Sequence, residues 1–328
     1  MRGPFLRWLP VATLASLLMP AALAGEPADA RGWLARIEVA AHRANYQGTL
    51  VTSAGGVMSS SRVVHFSVGE HSLERLESLD GRQQRIVRLD DTVQTIWPQS
   101  RIAVIEQRRA PVALTAGPHP VEPRALDQYT FRPEGEDRVA GREAWVFTLE
   151  PRDALRYAQR LWVDKASGLM LRADVIGPDH GILESAGFSE VEIGVKPPAD
   201  WATRYSHAPE GYRVLRPSQR RTQLEAEGWS VVHSVPGFIL VDCVRRSLET
   251  PEQPEALPVL QAVFSDGLTH VSIFIEPYRE RAPIDGMNSR IGATSTLRQR
   301  RSDHWVTVIG DVPSATLQAF ADALESRR

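Results

Sequence analysis

The sequence predicts an α+β protein in which a large, curled antiparallel β-sheet with a helix in its mouth precedes a smaller α+β domain. The chain has 328 residues, a length typical of about two domains. Short alternating stretches separated by turn residues run from residue 45 to residue 193, which favours one large antiparallel sheet. The character changes at Lys196-Pro197-Pro198, and a second set of strands then ends in an amphipathic helix.

The composition is that of a globular protein and excludes several classes. Hydrophobic residues make up 42% and charged residues 24% of the chain, which argues against a disordered chain and against a polytopic membrane protein. The 38 basic and 40 acidic residues leave a net charge of -2, so the charge gives no support to nucleic acid as a partner. Cys243 is the single cysteine, which excludes an intrachain disulfide and a cysteine-based metal site.

The first 24 residues have the organisation of a secretory signal peptide. Arg2 and Arg7 precede a short apolar run over 9–19, and Ala22-Leu23-Ala24 is a small-x-small cleavage site. The apolar run is too short to span a bilayer of about 30 Å. We therefore expect cleavage after Ala24 and a mature chain in an exported compartment. An uncleaved N-terminal anchor helix is the alternative.

Residues 25–195 are predicted to form the large domain. Asp29 is placed to cap a helix over 30–43. The apolar residues at helical spacing are Trp33, Leu34, Ile37 and Ala41. The strands that follow are predicted at 49–52, 62–68, 73–79, 84–89, 93–97, 102–105, 129–131, 144–149, 159–164, 169–175 and within 181–193. A proline-rich stretch, 108–124, interrupts them as a long loop. A sheet of this size usually curls, and a curled sheet with a helix in its mouth encloses an apolar cavity.

Residues 196–223 are polar and proline-containing, which is typical of an interdomain linker, and we expect this linker to act as a hinge. The smaller domain is predicted over 224–328. Its strands are predicted at 229–233, 238–244, 259–265, 269–276 and 304–309, and its final helix at 314–325.

The motifs of the common catalytic classes are missing from the sequence. It contains neither a Gly-x-Ser-x-Gly elbow, nor a P-loop, nor a Gly-x-Gly-x-x-Gly fingerprint, nor His-Glu-x-x-His. His65 and His71 are six residues apart and are spaced to share a strand face; we interpret them as a surface or cavity pair rather than a zinc site. No cofactor and no metal is predicted.

Two groups of residues favour a binding function. Aromatic and apolar side chains on the predicted strands are candidates to line a pocket for a lipid chain, although ordinary sheet core is the alternative for each of them. They are Trp97, Phe131, Trp145, Phe147, Trp162 and Met170. Arginines of the small domain favour a docking face for an acidic partner or for phosphate groups, with a solvated surface as the alternative. They are Arg279, Arg281, Arg290, Arg298, Arg300 and Arg301.

Short segments along nearly the whole mature chain resemble the RseB and MucB family of periplasmic regulators, which control an envelope-stress sigma factor. Their order and spacing make the match specific, and the likeness is nearer to MucB than to the enterobacterial RseB. In the large domain the segments are Tyr46-Gln47-Gly48-Thr49-Leu50-Val51, Glu74-Arg75-Leu76, Leu79-Asp80-Gly81, Arg156-Tyr157, Leu161-Trp162-Val163-Asp164 and Gly168-Leu169. In the small domain they are Pro236-Gly237-Phe238, Phe264-Ser265-Asp266-Gly267-Leu268 and Val306-Thr307-Val308-Ile309-Gly310-Asp311-Val312-Pro313.

The resemblance implies a fold and a function. The large domain is expected to be an unclosed β-barrel like that of the lipoprotein carriers LolA and LolB. The protein is expected to be a non-catalytic regulator in the periplasm that binds the periplasmic segment of a RseA/MucA-type anti-sigma factor and shields it from a DegS-type site-1 protease. Lipid signals such as lipopolysaccharide are expected to release it. We expect the partner surface on the small domain and the interdomain groove, at Phe264, Asp266, Leu268, Arg279, Arg281, Arg290, Arg298 and Arg300.

Two other functions remain open at this point. A periplasmic lipid or lipoprotein carrier shares the cavity but has no need of the arginine-bearing domain. A hydrolase with an unrecognised site is the other alternative. The oligomeric state is also open, a homo-oligomer included.

Overall fold

A computed structural model describes residues 29–107, 121–205, 210–250, 253–278 and 288–327. Within these ranges the strands form a 12-stranded sheet, a 7-stranded sheet and a two-stranded sheet. We call the part built on the first sheet the large domain and the part built on the second the small domain. The predicted α+β class with an unclosed N-terminal sheet is confirmed. The predicted signal peptide lies outside the described residues, as do residues 108–120 of the predicted loop.

Helix α1 (Ala30–Arg43) forms where the apolar spacing predicts it. Asp29 is its N-cap, and the side chain accepts a 2.8 Å hydrogen bond from the Gly32 N–H, which satisfies one of the free donors of the first turn. Trp33, Leu34 and Ile37 are buried on one face. Because this face packs on the sheet, tertiary burial rather than intrinsic propensity holds the helix in place.

The large sheet is antiparallel except at one edge. Its strands are β1 (Tyr46–Ala54), β2 (Val57–Val68), β3 (His71–Ser78), β4 (Arg85–Leu89), β5 (Thr92–Trp97), β6 (Ile102–Gln107), β7 (Tyr129–Val139), β8 (Arg142–Pro151), β9 (Ala158–Asp164), β10 (Met170–Ile176), β11 (Ile182–Ile193) and β12 (Arg213–Leu215). Their order is β12-β6-β5-β4-β3-β2-β1-β11-β10-β9-β8-β7. The edge strand β7 contacts β11 although three strands lie between them, so the sheet curls at this end.

The segment predicted as a linker contributes to both sheets. After the large domain, β12 pairs in parallel with β6. Only residues 216–218 then separate it from β13 (Gln219–Arg221), which pairs with the first long strand of the small sheet. The connection therefore runs along one edge of each sheet and is hydrogen-bonded to both.

The small domain packs one helix on one face of its sheet. Its further strands are β14 (Trp229–Val231), β15 (Ile239–Thr250), β16 (Gln253–Ser265), β17 (His270–Pro277), β18 (Asn288–Ile291), β19 (Thr294–Arg301), β20 (His304–Gly310) and β21 (Leu324–Ser326), and its helix is α2 (Ser314–Ala323). Leu317 and Phe320 of α2 pack on the inner face of the sheet. No helix in the described ranges is both long and apolar enough to cross a membrane.

Candidate functional site

An apolar cluster lies between α1 and the strands β7 to β10. Trp33 of α1 packs against Phe147, with ring centroids 4.8 Å apart, and Phe147 stacks on Phe131 at 4.7 Å. Trp145 stands edge-on to Trp33 at 6.1 Å. Met170 on β10 is buried in the same cluster. The structure thus brings together four of the six side chains predicted to line a lipid pocket.

The other two predicted pocket residues lie elsewhere. Trp162 alternates with Leu161 and Val163 along β9, so its ring points away from α1. There its indole N–H donates to Asp137 at 2.8 Å, and the Arg172 guanidinium lies 4.5 Å from its ring. Trp97 is half-buried at the end of β5 and belongs to none of the described clusters. Sequence spacing alone did not distinguish the two faces of β9.

A buried ion pair joins the two domains. Asp266 lies in the turn between β16 and β17 and accepts a 2.7 Å hydrogen bond from Arg156 Nε, with both side chains fully buried. Tyr129 donates its hydroxyl to the same carboxylate at 3.1 Å. Burial, reinforced by the charge of Asp266, raises the pKa of Tyr129 well above its usual value, so this hydroxyl stays protonated and remains a donor. Arg156 also donates to Asp153 at 2.5 Å and to the Pro236 carbonyl.

The same turn places an apolar side chain inside the large domain. Leu268 is buried in the cluster beneath α1 rather than in the core of its own domain. Arg124 Nη1 donates to the Ser265 carbonyl at 2.9 Å, and the Glu122 N–H donates to the Gly267 carbonyl at 2.8 Å. Gly267 has a φ of +97°, a conformation that favours glycine. We call residues 265–269, which make these contacts, the interdomain turn.

Further contacts join the domains at other points, among them the packing of Leu155 on the small-domain core. Thr316 of α2 donates its hydroxyl to the Leu155 carbonyl at 2.7 Å. Glu184 of β11 accepts a hydrogen bond from the Ala293 N–H of the small domain. Burial raises the pKa of Glu184, and the charge of Asp311 raises it further. The surroundings of this contact therefore favour the protonated form of Glu184 over its charged form.

The predicted arginine series does not form one surface. Arg298 and Arg300 share a face of the small sheet, where their guanidinium groups lie 4.6 Å from the Trp305 ring and 3.9 Å from the Tyr278 ring. Arg290 pairs with Ser295, one residue out of step with that face, and is exposed on the opposite side. The remaining three arginines do not share the face of Arg298 and Arg300 in the described residues. Arg301 donates to the Ala321 carbonyl at 3.0 Å, and Arg279 and Arg281 lie outside the described residues.

The other predicted partner residues are internal. Phe264 packs on Phe320 of α2 with ring centroids 5.0 Å apart, and Asp266 and Leu268 belong to the interdomain turn. In this conformation a partner does not reach them directly. The contacts of Asp266 with Arg156 and Tyr129 were not predicted, because residues separated by 110 and 137 positions give no periodic signal in one sequence.

Two open grooves border the described part of the large domain, and both are lined by polar and apolar side chains together. The larger, about 640 Å³, lies beside β7 to β9 and is lined by two ion pairs, Arg132 with Glu150 and Arg160 with Glu134, and by Pro313 of the small domain. The smaller has a volume of about 450 Å³ and lies over β1, β2 and β11. Neither groove opens into the aromatic cluster beneath α1.

In the part of the chain that the structure describes, no group of three acidic, histidine or cysteine side chains is arranged to hold a metal ion. The prediction that the two histidines share one strand face is wrong, because His65 lies on β2 and His71 on β3. His65 is buried and bonds through Nδ1 to the Ala44 carbonyl at 2.7 Å, and burial lowers its pKa. Burial raises the pKa of Cys243 to about 11, which leaves this thiol unreactive.

The chain matches both domains of one protein family along its length. The MucB/RseB N-terminal domain matches over residues 29–205, and the MucB/RseB C-terminal domain over 223–325. The sigma factor AlgU regulatory protein MucB of Pseudomonas aeruginosa is 31% identical over 305 residues, covering 91% of each chain. The sigma-E factor regulatory protein RseB of Haemophilus influenzae is 24% identical over 312 residues, covering 95% of this chain and 96% of its own.

Solved structures of MucB are also similar to this chain. The complex of Pseudomonas aeruginosa MucA and MucB matches with a TM-score of 0.68 and 29% identity, covering 92% of this chain and 100% of that one. A structure of MucB alone matches with a TM-score of 0.67 and 27% identity, covering 92% and 99%. The expected nearness to MucB is confirmed, since the RseB of Escherichia coli is 22% identical over 310 residues. The chain is therefore a member of the MucB/RseB family of sigma-factor regulatory proteins.

Proposed function

We propose that this protein is a non-catalytic periplasmic regulator that binds the periplasmic segment of a RseA/MucA-type anti-sigma factor. Binding shields that segment from site-1 proteolysis, and a lipid or lipopolysaccharide signal releases it. The observation that carries the proposal is the likeness to MucB over both domains, including a MucA/MucB complex that covers 92% of this chain. The signal-peptide pattern of residues 1–24 supports the periplasmic location.

The partner surface is proposed on the small domain and the interdomain groove. The guanidinium of Arg300 is held against the Tyr278 ring, and that of Arg298, which also donates to Glu276 at 3.1 Å, against the Trp305 ring. Planar guanidinium groups are suited to the carboxylates of an acidic peptide. Asp266 and Leu268 act from inside the molecule by fixing the small domain against the large one. The shape of the groove beside β7 to β9, which Pro313 of the small domain also lines, then depends on the interdomain turn.

The lipid site is proposed at the aromatic cluster beneath α1. Phe131, Trp145, Phe147 and Met170 supply its walls on the sheet side, and Trp33 supplies the helix side. Burying an acyl chain stabilises a complex by about 0.8 kcal/mol per methylene, so about ten methylenes contribute several kcal/mol. A disordered anti-sigma segment loses about 2–5 kcal/mol on ordering. Because these energies are comparable, a lipid that prefers the released state is able to switch the complex.

Binding of a fluorescently labelled anti-sigma periplasmic segment to the mature protein tests the proposal, with and without lipopolysaccharide fragments. We expect tight binding that lipopolysaccharide weakens, and slower cleavage of the segment by a site-1 protease in the complex. Replacing Arg298 and Arg300 by alanine is expected to weaken binding, and Arg290→Ala, on the opposite face of the same sheet, is the matched control. Absence of binding rejects the regulatory proposal.

A lipid or lipoprotein carrier is the second candidate, because the aromatic cluster belongs almost entirely to the large domain. Transfer of a fluorescent phospholipid between vesicles by the full mature chain favours the carrier if the anti-sigma segment does not bind. The carrier function leaves the stacked arginines of the small domain without a role, which is why the regulator is preferred.

A further inference from the structure

The interdomain turn is a wall of the apolar cluster beneath α1. Leu268 is 8% exposed and packs among side chains that all come from the large domain, Trp33 and Phe147 included. Among the described residues it is the one member of this cluster contributed by the small domain. Whatever changes the packing beneath α1 therefore acts on the small domain at this side chain.

Leu268 and Asp266 are held together and do not move independently. The backbone N–H groups of Leu268 and Thr269 donate to Asp266 Oδ1 at 2.9 Å and 2.8 Å. The other oxygen, Oδ2, accepts from Arg156 and Tyr129. The Asp266 carboxylate thus fixes the shape of the turn through Oδ1 and binds the large domain through Oδ2. Displacing Leu268 pulls Asp266 away from Arg156.

The wall formed by α1 is part of the large domain itself. Only two residues separate α1 from β1, and Arg36 donates from the helix to the Lys165 carbonyl at 2.5 Å. The turn, in contrast, belongs to the small domain, which is joined to the large one through residues 216–218, through the buried Arg156–Asp266 pair and through the packing of Leu155 on the small-domain core. A close-packed cluster admits a new chain only if a wall yields, and the turn is the wall that leaves by a rigid rotation of the small domain.

We propose that acyl-chain binding beneath α1 and docking of the interdomain turn exclude each other, so that Leu268 is the residue through which a long apolar chain moves the small domain. This inference rests on the proposed lipid response and specifies its mechanism. The chain enters the space that Leu268 fills, Asp266 separates from Arg156, and the groove between the domains changes its shape. A ligand that binds without displacing the turn does not shift this equilibrium.

Titration of the full mature chain with cis-parinaric acid, a fluorescent long-chain fatty acid, tests this exclusion. Leu268→Ala is expected to bind the probe about tenfold more tightly than the wild type, because the vacated volume accommodates about two more methylene groups. Leu297→Ala is the matched control: Leu297 is also 8% exposed but packs in the core of the small domain. Equal affinity of the wild type and Leu268→Ala overturns the proposal.

A second measurement needs no change in the turn, so it stands even if Leu268→Ala fails to fold. Nitroxide labels at Glu143→Cys and Asp303→Cys, both exposed and on different domains, report the interdomain distance in a Cys243→Ala background. We expect the probe to lengthen or broaden this distance. Bound probe with an unchanged distance overturns the proposal, as does failure of the probe to bind at all. Anti-sigma binding, measured without probe, tests the proposed function separately, since either result is obtainable without the other.

Discussion

Replacing Asp266 by alanine tests how much the buried ion pair stabilises the junction of the two domains. The change removes the carboxylate that accepts hydrogen bonds from Arg156, Tyr129 and two backbone N–H groups of the turn. The cavity it leaves is small, so the lost polar contacts dominate the effect. We therefore expect a large loss of stability that originates in these lost hydrogen bonds.

The magnitude follows from the contacts that remain. Breaking a buried ion pair costs about 3–5 kcal/mol. Because Arg156 keeps Asp153 and the Pro236 carbonyl as acceptors, we expect a loss at the lower end, about 3 kcal/mol. Each backbone donor left buried without an acceptor costs about 1–3 kcal/mol. We therefore expect Asp266→Ala to lower the free energy of unfolding by about 5 kcal/mol. Asp266→Asn keeps an oxygen for the turn and is expected to lose about 3 kcal/mol.

Urea unfolding followed by circular dichroism and by tryptophan fluorescence measures both losses. Because the protein has two domains, we expect the two signals to separate in Asp266→Ala as the domains uncouple. Glu150→Gln is the control: the Arg132–Glu150 pair is 64% and 50% exposed, and an exposed pair contributes about 0–1 kcal/mol. If Asp266→Ala loses no more than this control, the ion pair does not hold the junction and the reasoning is refuted.

Three further changes test other parts of the structure by urea unfolding. Gly267→Ala is expected to lower the free energy of unfolding by about 2 kcal/mol, because a Cβ there would lie 2.9 Å from Arg124 Cγ of the large domain. Gly81→Ala, also at positive φ but with open space around it, is expected to lower it by only about 1 kcal/mol. Equal losses would contradict the role of the close approach. Leu34→Ala, at a fully buried position of α1, is expected to lose about 2–5 kcal/mol, while Val39→Ala, 58% exposed on the same helix, stays within about 0.5 kcal/mol. Glu184 has a raised pKa in the folded state, so the stability it contributes in acid is lost as the pH rises through that value. Glu184→Gln is therefore expected to be more stable than the wild type at neutral pH and not in acid, and a pH-independent difference contradicts this.

Elements with a local signal were predicted well from the sequence. Helix α1 begins and ends at the predicted residues because a cap at Asp29 and an apolar stripe mark it. The strand β19 was not predicted, because Arg298, Arg300 and Arg301 follow one another closely at its end, a pattern that resembles a solvated charge run. In the structure Arg298 lies against Trp305 of the neighbouring strand β20, and Arg300 lies against Tyr278, which directly follows β17.

The candidate site was predicted in part, and the missing part is its long-range pairing. Composition and alternation identified Phe131, Trp145, Phe147 and Met170, which cluster beneath α1. They did not identify Leu268 as a member of that cluster, since its neighbours in space lie in another domain. A buried charge such as Asp266 looks like a surface residue in a single sequence, because only its distant partner makes burial tolerable.

The position of Leu268 has a consequence for how the chain matures. Protein chains emerge N-terminal end first, and domains fold as they appear. The large domain of this protein remains incomplete when its own last strand has emerged, because Arg156 has Asp153 but not yet Asp266 as a partner and the cluster beneath α1 lacks one wall until residue 268 follows. A truncation before this turn leaves Arg156 without one of its two carboxylate partners and exposes the apolar cluster beneath α1 to water. The two halves of the chain therefore reach their native state together, and the small domain acts as an internal folding partner for the large one.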